Sequence, residues 1–406
     1  MSTAPEIIGD IVKVEILFDG SNWVDVTDDV VAIETRRGAN RVQQPVLRYT
    51  NGNGSITLNN HQRQYDPTNL DGPYVDSNGE TQVLPMRQIR IRGTYDNETH
   101  GIMRAFIDSW NLQWNGPNWS QAVVPFTDGF KVLESYDRIA VEAVGEGEDS
   151  GARIERILDS VDWPNDLRDI ATGNTNLQAT TLTGSALTEC FLVADSEIGE
   201  FYVDGDGKMV FRNRHALLQE ERSNTVQAIF GDSGNELRYA DNGLTLNYDH
   251  ETLANRVQVA HTGGTQQVAY DEDSIAKYLT RTFNRTDLLH QNDAESLAYA
   301  QWVLFISKLP ELRFDIMRIN PLRDPENLFP QVLGREIGDR IQIKRRPPGG
   351  GDPIVRDVFI RGIQHSITTS RWTTTWVLQS ATKYGNFFVL DSPILGLLNS
   401  DIGIGY

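Results

Sequence analysis

The chain has 406 residues, 39% of them hydrophobic and 23% charged, with a formal net charge of −19 and a single cysteine. These are globular values for two to four domains, and the acidity argues against a protein that holds nucleic-acid phosphates. No apolar run approaches the roughly 20 residues that span a bilayer, and Cys190 alone excludes an internal disulfide or a thiolate-rich metal site.

The opening MSTAPEIIGDIVKVE has neither the basic nor the apolar region of a secretory signal. Residues 10–145 read as β structure. Val12, Val14 and Ile16 alternate in a first strand, Asp19 to Asn22 form a turn, and Val30 and Ile33 lie in a second apolar stretch. Asn51-Gly52-Asn53-Gly54 reads as a turn, because both residue types tolerate positive φ. Ser55 to Asn59 then alternates as a short half-buried strand, with Ile56 and Leu58 on one face. Tyr65-Asp66-Pro67 and Asp71-Gly72-Pro73 follow in a long loop. Further strands are predicted around Ile89 and Ile91, from Ile102 to Trp110, and from Ala122 to Phe126.

The pattern turns helical near Ser150. Ile154, Ile157, Leu158 and Val161 share one helix face, and a second helix is predicted from Gly184 to Glu197 with Thr183 as N-cap. Its core face is Leu187, Cys190, Phe191 and Ala194, which makes Cys190 a small buried hydrophobe. Phe201 to Phe211 reads as a hairpin turning at Asp204-Gly205-Asp206-Gly207, so residues 146–236 form an α+β insertion.

Strands return at Leu244–Leu246 and Val257–Val259. A buried helix is predicted at 293–308, apolar through Ala294, Leu297, Ala298, Leu304, Phe305 and Ile306. The later strands are Leu312–Ile319, Arg340–Ile343, Val358–Ile363 and Trp372–Gln379. The succession 88–92, 103–110, 122–126 resembles the succession 340–344, 358–365, 372–379. Residues 1–145 and 237–385 thus read as two copies of one β-barrel. Charge is uneven: Glu142–Asp206 holds 15 acidic and 3 basic residues, whereas Arg318–Arg361 holds 9 basic and 6 acidic. A solvated acidic face is the plain account.

Reactive chemistry is absent from the spacing. The Asp204–Gly207 run lacks the later ligands of a calcium loop, with Lys208 and His215 where oxygen ligands are needed. Gly349-Gly350-Gly351 precedes no Gly-Lys-Ser/Thr and opens no helix. The seven histidines show no metal-ligand spacing. Asp195, Glu197 and Glu200 cluster in sequence, but nothing selects an acid and a base among them. No cofactor is expected. The segment 386–406 is different: Phe387, Phe388, Val389, Leu390, Ile394, Leu395, Leu397 and Leu398 cannot all face water. Phe387, Phe388, Leu390, Ile394, Leu395, Leu397 and Leu398 are the candidate partner interface, with fold-back onto the chain's own barrel as the alternative.

Gly54, Ile56, Leu58 and Asn60, followed by Tyr65, Asp66, Pro67 and Asn69, resemble the N-terminal pattern of phage minor tail proteins of the tail or baseplate hub. Phe201-Tyr202-Val203-Asp204 with Gly207 and Val210-Phe211-Arg212 is similar to their middle domain. Ile360-Arg361-Gly362-Ile363 through Trp372 and Trp376 is similar to the end of their second barrel. The resemblance implies a mainly β fold, with two tail-tube-like β-barrel domains and smaller α+β domains between them. It implies a structural hub with no catalytic residue, which adapts a sixfold tail tube to a threefold tip and lines the DNA channel. The expected partners are two further copies in a homotrimer, the tail tube or distal tail protein above, and tip, fibre or tape-measure proteins below. DNA would pass without specific binding, helped by an acidic lumen. Such a protein is made in the host cytoplasm and resides in the virion tail tip. The alternative is a tail-tip enzyme or a carbohydrate-binding module acting on the host surface.

Overall fold

A computed structural model describes residues 7–42, 45–116, 119–136 and 141–386. The N-terminal third supplies eight strands: β1 (Val12–Leu17), β2 (Val24–Asp25), β3 (Val30–Gly38), β4 (Thr50–Asn59), β5 (Gln88–Tyr95), β6 (Glu98–Ile107), β7 (Asn111–Gly116) and β8 (Trp119–Thr127). Alternation sets their faces, so Ile56 and Leu58 of β4, and Ala122, Val124 and Phe126 of β8, enter one core. A short helix, α1 (Phe130–Ser135), follows.

The expected turn at Asn51–Gly54 is not a turn: these residues run through β4, opposite β3 on one side and β8 on the other. Glycine is there for close approach. A Cβ on Gly52 would stand 2.5 Å from the Asp128 carboxylate, and one on Gly54 would stand 2.5 Å from the Phe126 ring. The loop after β4 is anchored by the motif itself. The buried Asn60 side chain accepts from Tyr65 N at 3.0 Å, and the Tyr65 hydroxyl donates to Asp29 at 2.7 Å. Asp66 accepts from the backbone and hydroxyl of Thr68.

The middle of the chain forms an α+β unit. It holds β9 (Val141–Val144), α2 (Ser150–Asp159), β10 (Arg168–Ile170), β11 (Thr180–Leu182), α3 (Ala186–Glu197), β12 (Glu200–Val203), β13 (Met209–Arg212), α4 (Ala216–Gln219) and α5 (Glu221–Asn224). Ile154, Ile157 and Leu158 of α2 meet Leu187, Cys190 and Ala194 of α3 in a second core. Asp149 caps α2. The cap of α3 is Ser185, which accepts from Thr188 N, rather than Thr183, so the helix starts two residues later than predicted. The hairpin β12–β13 turns at Asp204–Gly207, as its sequence indicates.

The remainder supplies β14 (Ile229–Gly231), β15 (Leu237–Arg238), β16 (Leu244–Tyr248), β17 (Arg256–His261), β18 (Gln267–Tyr270), α6 (Glu272–Tyr278), β19 (Thr282–Leu288), α7 (Asp293–Ser307), β20 (Leu312–Ile319), α8 (Pro325–Gly334), β21 (Arg340–Arg345), β22 (Ile354–Thr368) and β23 (Trp372–Ser380). The strand at Val257–Val259 does not join the later β strands. It is the centre of a separate sheet, β18-β17-β19, and α7 packs on that sheet through Tyr299, Ala300 and Val303. The buried residues of α7 are Ser296, Tyr299, Ala300, Trp302, Val303 and Ser307, whereas the apolar residues predicted to face the core are half-buried or exposed. Helix α8 has no counterpart in the sequence reading. Its Phe329 stacks on Tyr95 and meets Trp372 edge-on, tying both β regions together.

The mainly β class stands, and its two β regions are continuous. They join in one fifteen-stranded sheet ordered β15-β14-β21-β22-β3-β4-β8-β6-β5-β1-β2, with β7 beside β8 and the branch β23-β20-β16 beside β22. The junction is β22 against β3, registered from Gly362↔Gly38 to Thr368↔Ala32. One apolar core underlies both regions.

Candidate assembly surface at the junction of the two β regions

Within the large sheet, β16-β20-β23-β22-β3-β4-β8-β7 is an unbroken run in which every neighbouring pair is antiparallel. Directly paired residues share a face. On the inner face, Met317, Trp376 and Ile363 are successive partners, as are Ile367, Ile33, Ile56 and Val124. On the outer face one row reads Arg318, Thr375, Gln364, Arg36, Asn53, Thr127. The next reads Thr373, Ser366, Glu34, Ser55, Pro125. At the junction these side chains border an open groove of about 410 Å³. Ser366 Oγ donates to Glu34 across it at 2.6 Å.

The groove is bounded by a polar wall. Hydroxyls and amides dominate it, with Glu34, Arg36 and Arg318 as the charged members of the two rows. Its one histidine, His365, lies under the sheet. There its Nδ1 is 3.0 Å from Thr374 Oγ1, and burial holds its pKa down to about 3. Neutral at ordinary pH, it serves packing. The acid-rich stretch 142–206 is not part of this wall, because it folds into the middle unit.

Buried ion pairs fix the middle unit beneath the junction. Arg361 of β22 reaches Glu200 of β12 at 2.7 Å, and the Tyr49 hydroxyl donates to the same carboxylate at 3.1 Å. Nearby, Arg37 of β3 pairs with Glu336, and the turn at Gly205 lies so close to Gly101 of β6 that neither position has room for a Cβ. Burial and the neighbouring Glu336 raise the Asp204 carboxyl to about 6. Asp204 organises its own turn, accepting from Asp206 N and Lys208 N.

The carboxylates singled out in sequence are thereby accounted for. Asp195 is held between Arg285 at 2.9 Å and Arg48 at 3.4 Å. Glu197, fully buried, accepts from Ser150 Oγ and from Asn174 N and Thr175 N. Glu200 belongs to Arg361 and Tyr49. Each is committed to a structural partner, and Asp195 also borders an open pocket together with Glu251. Among the described residues no group of three or more His, Cys, Asp or Glu is placed to hold a metal ion, and no helix is long and apolar enough to cross a membrane. Cys190 is buried, as its helix face requires. The candidate interface residues Phe387, Phe388, Leu390, Ile394, Leu395, Leu397 and Leu398 lie outside the described residues.

The polar rows were not singled out in sequence. Their signal is the alternation in β3, β4, β22 and β23, which tells that one face is wet but not that four wet faces adjoin.

No protein-family model matches the chain, and no curated protein sequence does. Solved structures do. A tail protein from Neisseria meningitidis aligns with a TM-score of 0.59 at 12% identity, covering 91% of this chain and 96% of that one. A 43 kDa tail protein of prophage MuSo2 from Shewanella oneidensis aligns at 0.53 and 10% identity, covering 92% and 97%. This chain therefore shares its fold with these two tail proteins over about nine-tenths of its length.

Proposed function

We propose that this chain is a structural hub at the tip of a phage-type tail, acting without catalysis. Three copies close a ring whose repeated β regions offer an approximate sixfold face to the tail tube and a true threefold face to the tip. The observation that carries this reading is the eight-strand antiparallel run, polar on its outer face and open at both ends. Set around an axis, such runs make a continuous wall, and closed symmetry keeps the contact from propagating into a filament. The shared fold of two tail proteins supports the placement.

In the ring the polar wall lines the DNA passage. A lining dominated by hydroxyls and amides, with Glu34, Arg36 and Arg318 as its charged members, offers the DNA backbone few fixed contacts. Above sits the tail tube or distal tail protein; below sit tip, fibre or tape-measure proteins. The chain is made in the host cytoplasm and incorporated into the virion at the tail tip. The segment 386–406 supplies a further contact through Phe387, Phe388, Leu390, Ile394, Leu395, Leu397 and Leu398. An enzyme acting on the host surface is disfavoured by the structural commitment of Asp195, Glu197 and Glu200.

Electron microscopy of the tail tip tests the reading: three copies around the channel are expected, and six copies or a lone lateral monomer would overturn it. Zymography on host cell wall tests the non-catalytic part, with no clearing expected. Removing residues 387–406 is expected to leave the fold intact and weaken incorporation into tails.

A further inference from the structure

The two ends of the eight-strand run are strands of an unusual kind. Among the described residues β7 pairs only with β8, and β16 only with β20, so each presents an open backbone edge. Open edges are commonly protected by charge. The short strands at the other free ends of the large sheet fit that rule, since β2 carries Asp25 and β15 carries Arg238. Neither β7 (NLQWNG) nor β16 (LTLNY) carries any charged residue.

Both edges also leave apolar side chains uncovered on the same face. On β7, Leu112 is opposite Ala122 and Trp114 opposite Ser120. Leu112 packs against the core, while Trp114, two residues on, overhangs it at 70% exposure. On β16, Leu246 is opposite the buried Phe314 and Tyr248 opposite Leu312. Leu246 is 37% exposed and Tyr248 64%. Seven antiparallel steps separate the edges, so β7 and β16 run in opposite directions. A β7 brought beside the β16 of another copy therefore pairs antiparallel and continues the alternation.

We propose that β7 of one copy pairs with β16 of the next, seating Trp114 over Leu246 and Tyr248 of that neighbour. This rests on the ring reading above and assigns its contact. Head-to-tail joining consumes both open edges in every copy, whereas a symmetric β7–β7 or β16–β16 dimer would leave one exposed. It also extends the core layer sideways, since the joined faces are the two apolar ones.

Hydroxyl-radical footprinting of the full chain, free and in purified tails, tests the contact. Trp114 and Tyr248 are expected to label freely in the isolated chain and to fall to the level of the buried Trp376 in tails. Trp114→Ala is expected to keep the thermal midpoint of the free chain and to lose incorporation into tails. If tails contain three copies in which Trp114 and Tyr248 label as in the free chain, the contact is wrong and the ring closes elsewhere. Protection already present in the isolated monomer would mean that residues 387–406 cover the edges, which also overturns the proposal. A symmetric dimer in which only one of the two residues is protected does the same. Absence of the chain from tails would sink the hub reading itself.

Discussion

Arg361 and Glu200 lie 161 positions apart in sequence and 2.7 Å apart in space, sealed between the large sheet and the middle unit. The Arg361 guanidinium is buried to 1% exposure, and its Nε donates to Gln379 at 2.6 Å. A guanidinium taken out of water costs several kcal/mol unless its donors are satisfied. Here carboxylate, phenol and amide satisfy them together, so the pair fixes how the middle unit sits.

Removing one partner should therefore cost more than removing both. Arg361→Met is expected to destabilise by about 3–5 kcal/mol, because Glu200 then remains as an uncompensated buried charge. Combining it with Glu200→Leu should recover part of that loss. Urea denaturation of the two single variants and the double variant gives the coupling, and additive losses would contradict a shared network.

Gly54 makes a steric prediction. A methyl group there meets the Phe126 ring at 2.5 Å and the Glu34 carbonyl more closely still. Gly54→Ala should cost about 1–3 kcal/mol by overpacking. Gly116→Ala is the control, because its Cβ would meet nothing within 4 Å and its φ is not positive. Thermal melts of the two variants should separate clearly.

Asp128 makes a pH prediction. It is fully enclosed, accepting from Gly52 N at 2.6 Å and Phe130 N at 3.1 Å, and burial pushes its carboxyl up to about 7. The folded chain thus keeps a proton that the unfolded chain releases near 3.8. The stability contributed by this group is complete below the unfolded value and is lost as pH rises through about 7. Asp128→Asn removes the titration. The stability difference between variant and parent should shift in favour of the variant as pH rises from about 4 to about 7. A pH-independent difference would show that Asp128 is ionised throughout.

Cys190 should be silent to thiol reagents in the native chain, because its side chain has no exposed surface. Labelling is expected only with unfolding, which makes it a reporter of the middle unit. Fast labelling under native conditions would mean that α2 and α3 separate readily.

The fold was legible where period and punctuation agree. Helix α2 was visible because Ile154, Ile157, Leu158 and Val161 keep a helical spacing, and the β12–β13 hairpin because Asp204–Gly207 can only turn. Gly52 and Gly54 misled because glycine serves both turns and close packing, and only the position of Asp128 and Phe126 decides between them. The separate sheet around β17 was invisible, since Val257 and Val259 alternate equally well in any sheet. Helix α8 had a readable start, Asp324-Pro325-Glu326, but its internal Pro330 breaks the expected pattern. The polar wall depends on residues such as Glu34 and Ser366, which are 332 positions apart. No local pattern joins them.

That separation also bears on how the chain is made. The edge of β3 leaves the ribosome long before its partner β22 exists. At about 5–20 residues per second, the wait is on the order of 15–60 s. During it, the nascent N-terminal sheet carries an open flank through a crowded cell, where neighbouring nascent chains offer the same flank. Faster synthesis, or cover over β3 until residue 368 has emerged, shortens that exposure.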